Sequence, residues 1–176
     1  KLIYLTFDDG PTPEITEWTL NTLDKYNAKA TFFCIGNNID KYPQIFKLII
    51  EKGHTIGNHT NNHLKGWKTK TIDYLENINI AQAQIDKFSR SNQLFFRPPY
   101  GRIKPKQIKE ISKLNYRIIM WNILSKDWDK TISNEECLDN VIKKTKSGDI
   151  VVFHDSIKAS NNLKYVLPQM LDYFTE

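Results

Sequence analysis

Short apolar runs recur along this sequence, and one after another they stop at a turn carrying a carboxylate, a histidine or an arginine. The first, Lys1 to Phe7, reads as a buried strand and ends at Asp8-Asp9-Gly10-Pro11. Gly permits unusual backbone angles and Pro cannot donate to a ladder, so the pair ends a strand sharply. Ala30 to Ile35 reads as a second strand, and a short one near His54 to Gly57 leads into His59-Thr60-Asn61-Asn62-His63. Leu94 to Phe96 runs into Arg97-Pro98-Pro99-Tyr100-Gly101, Tyr116 to Trp121 ends near Asp127-Trp128, and Ile150 to Phe153 ends at His154-Asp155.

Helical patterns fill the intervals. One helix takes Thr12 as N-cap with Pro13 at its first position, and another runs from Pro43 to Lys52. Residues 71–89 turn Ile72, Leu75, Ile78 and Ile85 inward, and Pro105 opens a helix carrying Ile108, Ile111 and Leu114. Ser133 and Glu136 form a capping box for a helix that stops at Gly148, and Leu163, Val166, Leu167, Met170, Leu171 and Phe174 line a closing helix. Strands alternating with helices predict an α/β fold of parallel strands joined by helical crossovers, one domain over residues 1–176. In a parallel sheet or barrel the C-terminal strand ends share a face, and ligands bind there. Asp8, Asp9, His59, His63, Arg97, Asp127 and His154 are therefore expected to converge.

Composition narrows the function classes. With 40% hydrophobic and 26% charged residues in 176, the chain can bury a full core. No run reaches the 18 apolar residues of a membrane span, so no transmembrane segment is expected. The net charge of +5 comes from scattered lysines. They suit solvated helix faces or attraction to an anionic polymer, and without an aromatic-interleaved basic stripe they argue against nucleic acid. Cys34 and Cys137 lack metal-ligand spacing and read as core or free thiols. Starting at Lys1 inside a strand, the chain is expected to be a trimmed or mature fragment.

The site chemistry follows from residue types. Asp8 and Asp9 place two like charges at the mouth of an apolar strand, which is unfavourable without a cation or arginine. His59 and His63, four apart, would present two imidazoles on one face of a helical turn. With one carboxylate they make three ligands, leaving a position for water, the pattern of a catalytic zinc site. A hydrolase also needs a base, an acid and oxyanion donors. One Asp could bind metal while the other takes a proton, with no means here of telling which. Arg97 could orient the second Asp, the Tyr100 N–H could face an oxyanion, and Asp127 could keep His154 protonated. His54, near the start of its strand, reads as structural.

The set Thr6-Phe7-Asp8-Asp9-Gly10-Pro11, His59-Thr60-Asn61-Asn62-His63, Arg97-Pro98-Pro99-Tyr100-Gly101, Asp127-Trp128 and Val152-Phe153-His154 resembles the polysaccharide deacetylases with a NodB-type homology domain, carbohydrate esterase family 4. The resemblance implies a distorted (β/α) barrel with outer helices that removes acetyl groups from sugars, commonly N-acetylglucosamine polymers. It makes Asp8 the general base, Asp9, His59 and His63 the metal ligands, and Arg97 the partner of Asp8. His154 becomes the general acid tuned by Asp127. Pro99, Tyr100, Trp128 and Val152 fall on the substrate side, with the Tyr100 N–H toward the oxyanion and Trp128 and Val152 around the acetyl methyl. The implied cofactor is one divalent ion, zinc first, with cobalt, nickel or manganese as alternatives, and the implied setting is exported or at the cell envelope. Two departures stand out: Leu64 where the family usually has Pro, and Leu124 where an Asp often precedes Asp127. They suggest altered loop shape or substrate choice, and the short chain suggests a shallow groove. An O-acetyl esterase on a substrate such as xylan would use the same machinery. An iron(II) oxygenase triad and a silent sugar-binding module fit the extra Asp, Arg and His less well.

Overall fold

The computed structural model describes residues 2–175. Lys1, where the first strand was expected to begin, and Glu176 lie outside them. Seven strands form one sheet in which every recorded pairing is parallel: β1 (Tyr4–Asp8), β2 (Ala30–Cys34), β3 (Thr55–Asn58), β4 (Leu94–Phe96), β5 (Tyr116–Ile118), β6 (Ile123–Leu124) and β7 (Ile150–His154). Their order is β5-β4-β3-β2-β1-β7-β6, a curled half-barrel whose edge strands β5 and β6 do not pair with each other. Helices α1 (Ile15–Lys25), α2 (Gly36–Lys41), α3 (Pro43–Glu51), α4 (Thr71–Asp86), α5 (Pro105–Lys113), α6 (Asn134–Ile142) and α7 (Ser160–Thr175) connect and cover the strands.

Period-two alternation assigns each strand's faces. Leu5 and Phe7, Phe32 and Cys34, and Val151 and Phe153 point outward into the main core with α1, α3, α6 and α7. The alternate set, Thr6 and Asp8, Phe33, Val152 and His154, points inward. There the filling depends on a missing side chain: a Cβ on Gly57 would lie 2.4 Å from the Phe33 ring. A smaller cluster of Tyr74, Ile78, Phe96, Ile111 and Tyr116 seats α4 and α5 against β4 and β5.

The boundaries differ from the sequence reading in ways that have physical causes. Glu14, not Thr12, precedes the first helix, because Glu14 stands at φ 65° and breaks the helical run expected from Thr12 and Pro13. Gly36–Lys41 forms an unexpected short helix. Tyr116 to Trp121 is not one strand; β5 ends at Ile118, and β6 is a separate two-residue strand beside β7. Ile72 is exposed and the buried face of α4 is Tyr74, Ile78, Ala81 and Ile85; Ile108 in α5 and Leu114 just past its end are exposed, whereas Gln107 and Ile111 are buried. A single inward-facing stripe suffices for helices that touch the sheet on one side. The capping box at Ser133 and Glu136 is present, but the helix ends at Ile142, before Gly148.

Candidate active site

Parallel pairing puts Asp8 directly opposite His154 on the neighbouring strand, each the last residue of its strand. β3 delivers His59 just past its end, where its backbone N–H still bonds Cys34 O at 3.0 Å. The expected helical turn between His59 and His63 is absent: Thr60 (φ 66°) and His63 (φ 57°) are left-handed and form a loop. Asp9 (φ 81°) and Tyr100 (φ 62°) share this conformation. Non-glycine residues held there cost on the order of 1 kcal/mol or more each, and such strain gathers where side chains must be aimed.

That loop still aims both imidazoles at Asp9. His59 Nδ1–H donates to Arg97 O at 2.8 Å, so Nε2 presents its lone pair to Asp9 Oδ1 at 3.6 Å. His63 Nε2 lies 3.3 Å from the same oxygen, and the three ligand atoms fall within 4.8 Å of one another. Burial lowers the pKa of both histidines, favouring neutral, ligating imidazoles. Burial raises that of Asp9, only partly offset by His59 and His154, and Asp9 Oδ1 is buried with no hydrogen-bond partner among the described residues. An orphaned carboxylate oxygen facing two imidazole lone pairs is costly alone and suits a small divalent cation. Asp9, His59 and His63 fit that ion.

Arg97 holds the floor. It is fully buried, with Nη1 donating to Asp8 Oδ1 and Thr6 Oγ1 (both 2.7 Å), Nε to Ile119 O (3.0 Å) and Nη2 to Met120 O (3.1 Å). Its guanidinium carbon lies 4.1 Å from the Phe33 ring centroid. On the neighbouring strand, His154 Nδ1–H donates to Asp127 Oδ1 at 2.8 Å, and the His154 N–H donates to Asp127 Oδ2 at 2.7 Å. Burial by itself would lower the His154 pKa, but the Asp127 charge and hydrogen bond, with Asp8 and Asp9 beyond, raise it to about 9. The imidazolium is therefore the form present near neutrality, and its stabilising contribution is complete below the unfolded value near 6.5 and lost as pH rises through about 9. In the metal-free Asp127→Asn variant, NMR titration should place His154 at least about one unit lower, because the carboxylate attraction is gone while burial remains.

A cleft of about 410 Å³ joins these groups, lined by Asp8, Asp9, His59, His63, Tyr100, Trp121, Leu124, Trp128, His154, Ser156 and Lys158. Arg97 and Asp127 stand behind Asp8 and His154 rather than at its surface. Pro99 and Val152 are buried and do not line the cleft, whereas Leu124, in register with Val152, does. Among the described residues the Tyr100 N–H meets no protein acceptor, and the exposed Tyr100 ring packs 4.5 Å from His63 and 5.3 Å from Trp67. Trp121, Ser156 and Lys158 were not singled out from the sequence; Lys158 lies 4.9 Å over the Trp128 ring. Leu64 packs against the smaller core cluster. His54 is buried, neutral with a pKa lowered to about 4 by burial, and accepts the Ala30 N–H, as a structural residue would. Both cysteines are free and buried, and no helix among the described residues is long and apolar enough to cross a membrane.

Known proteins are similar to this chain in sequence and in fold. A peptidoglycan-N-acetylglucosamine deacetylase of Bacillus cereus is 36% identical over 154 residues, 88% of this chain but 56% of the relative, so the chain spans little more than half that protein's length. The solved peptidoglycan deacetylase PdaC from Bacillus subtilis superposes with a TM-score of 0.88 at 30% identity, covering 99% of this chain and 83% of that one. The Xyl-CE4 domain of a multidomain xylanase, from the hindgut metagenome of Trinervitermes trinervoides, superposes at 0.89 with 27% identity, covering 99% and 83%. Residues 1–119 match the family described as polysaccharide deacetylase, and with that match, the PdaC-like half-barrel and the converging motifs, the chain belongs to the polysaccharide deacetylase family.

Proposed function

We propose that the chain is a metal-dependent hydrolase that removes acetyl groups from N-acetylated sugars in a polysaccharide or oligosaccharide, N-acetylglucosamine-containing polymers first among them. The observation that carries this reading is the pairing of Asp8 with His154 on neighbouring strands, both lining one cleft together with Asp9, His59 and His63. A base and an acid on neighbouring strands, flanking a cation site, suit a reaction in which one proton is taken from water and another given to the departing amine.

Asp8 is the base: Arg97 holds Oδ1, leaving Oδ2 turned toward His59 and the cleft. His154 is the acid, kept charged and oriented by Asp127. The unpartnered Tyr100 N–H is placed to donate to the oxygen of the acetyl group as charge gathers there. A divalent ion held by Asp9, His59 and His63, zinc first, would supply polarisation of the acetyl carbonyl and a lowered pKa for water. Amide plus water gives the protonated amine plus acetate, the amine nitrogen taking its protons from His154 and from the water by way of Asp8. Trp128 and Leu124 give the cleft an apolar wall suited to a methyl group.

An O-acetyl esterase on a polymer such as xylan is the second reading, favoured by the likeness to the Xyl-CE4 domain. Acetate release from matched panels of acetylated chitooligosaccharides, peptidoglycan fragments and xylan separates the two; no release from any N-acetylated sugar overturns the first. On the same substrate, chelation is expected to lower turnover by at least about 10²-fold, since the ion's contribution is several kcal/mol. Added Zn²⁺ should restore the wild-type chain and leave His59→Ala inactive. Undiminished turnover after chelation, with metal content verified, would remove the metal from the scheme.

A further inference from the structure

One buried carboxylate has no part in the proposed chemistry. Asp155 follows the acid His154, is fully buried, and does not line the cleft. Its Oδ1 accepts the Gly10 N–H at 3.1 Å, and its Oδ2 accepts Thr16 Oγ1–H at 2.5 Å. Thr16 Oγ1 in turn accepts the Thr12 N–H at 2.7 Å, and the Asp155 N–H donates to Asp8 O at 3.1 Å. The fit leaves no room for a side chain at position 10, where a Cβ would come within 2.1 Å of Oδ2.

The peptide between Asp9 and Gly10 is thus gripped at both polar ends. Its N–H is held by Asp155, and its carbonyl, Asp9 O, accepts Asn38 Nδ2–H at 2.8 Å. The next carbonyl, Gly10 O, accepts the Ile35 N–H at 2.9 Å. That peptide plane, between Asp9 and Gly10, sets ψ of Asp9, and the preceding one, whose carbonyl Asp8 O accepts the Asp155 N–H, sets its φ of 81°, a conformation uncommon outside glycine. Those torsions decide where Asp9 Oδ1 stands relative to His59 and His63.

We propose that Asp155 is a positioning residue for the cation site: by holding the Gly10 N–H and bridging to Thr16, it fixes the left-handed backbone of Asp9 and aims Oδ1 at the two imidazoles. The inference rests on the metal reading above. A residue that only fills space or stabilises the β7–α1 contact would change folding stability when replaced and leave ion affinity unaltered. One that aims a ligand changes ion affinity in the folded protein.

The experiment is calorimetric titration of the metal-stripped chain with Zn²⁺ alone, with no sugar present, alongside thermal unfolding of each metal-free variant. Asp155→Ala should bind Zn²⁺ about 10- to 100-fold more weakly, the usual effect of removing a ligand's supporting hydrogen bond. Asp155→Asn, which keeps an oxygen acceptor for the Gly10 N–H, should stay within about 3-fold of wild type. Should Asp155→Ala not fold, Thr16→Val decides, since it frees Oδ2 and lets the carboxylate swing; about 3- to 10-fold weaker binding is expected. A folded Asp155→Ala, or failing that Thr16→Val, with wild-type affinity overturns this inference alone. A wild-type chain that binds no Zn²⁺ overturns it together with the metal reading.

Discussion

Asp8→Asn should keep the bound ion and lose about 10³-fold or more in kcat/KM, the range assigned to a positioned general base. The ligand set explains the retention: Asp9, His59 and His63 supply the three converging atoms, while Asp8 Oδ2 stands 3.9 Å from His59 Nε2. The amide can still accept from Arg97 Nη1, so the side chain stays where it is, but it can no longer take a proton. Metal content and turnover measured on one preparation make the outcome readable. Loss of turnover with full metal occupancy assigns Asp8 as the base. Loss of both makes Asp8 a ligand, and retention of both sinks the assignment. The control is His59→Ala, which should forfeit metal and activity together because its Nε2 lone pair has no substitute.

Most of this site could be read from the sequence because polar residues ending apolar runs carry their own placement. A parallel sheet collects the C-terminal ends of its strands, so Asp8, His59, Arg97 and His154 could be brought together with no knowledge of loop shape. Spacing was a poorer guide. His59 and His63 do meet, but through a loop with two left-handed residues rather than a helical turn, and a four-residue interval does not distinguish the two. Residue types alone did not divide the two aspartates, since adjacent carboxylates look alike; the family resemblance did, and Arg97 bonded to Asp8 with an oxygen of Asp9 unpartnered among the described residues supports that division. Trp121, Ser156 and Lys158 reach the cleft by routes that leave no periodic trace, each from a segment beyond a strand or between two strands. Asp155 had a signal, a second acidic residue beside a strand-end histidine, but its role depends on Gly10 and Thr16, about 140 positions away. Helix faces failed where a helix touches the sheet along one stripe only, leaving Ile72 and Ile108 in solvent.

The second large effect concerns stability as much as rate. Arg97→Met should cost about 3–5 kcal/mol, because Asp8 is then a buried carboxylate without its countercharge and three backbone or hydroxyl acceptors lose their donor. At about 2–4 °C per kcal/mol for a chain of this size, the metal-free midpoint should fall by roughly 6–20 °C. Arg97→Lys should recover only part of that, since one ammonium cannot reach Asp8, Ile119 O and Met120 O at once, nor lie flat on Phe33. The decisive comparison is the double variant Arg97→Met with Asp8→Asn. If an unpaired buried charge is what costs, removing its partner too should make the double variant more stable than Arg97→Met alone, while it stays inactive for want of a base. Denaturant unfolding of the four metal-free proteins measures that coupling. A double variant no more stable than Arg97→Met would mean that Arg97 supports the inner layer by packing on Phe33 and by its carbonyl bonds, and that the ion pair with Asp8 serves orientation alone.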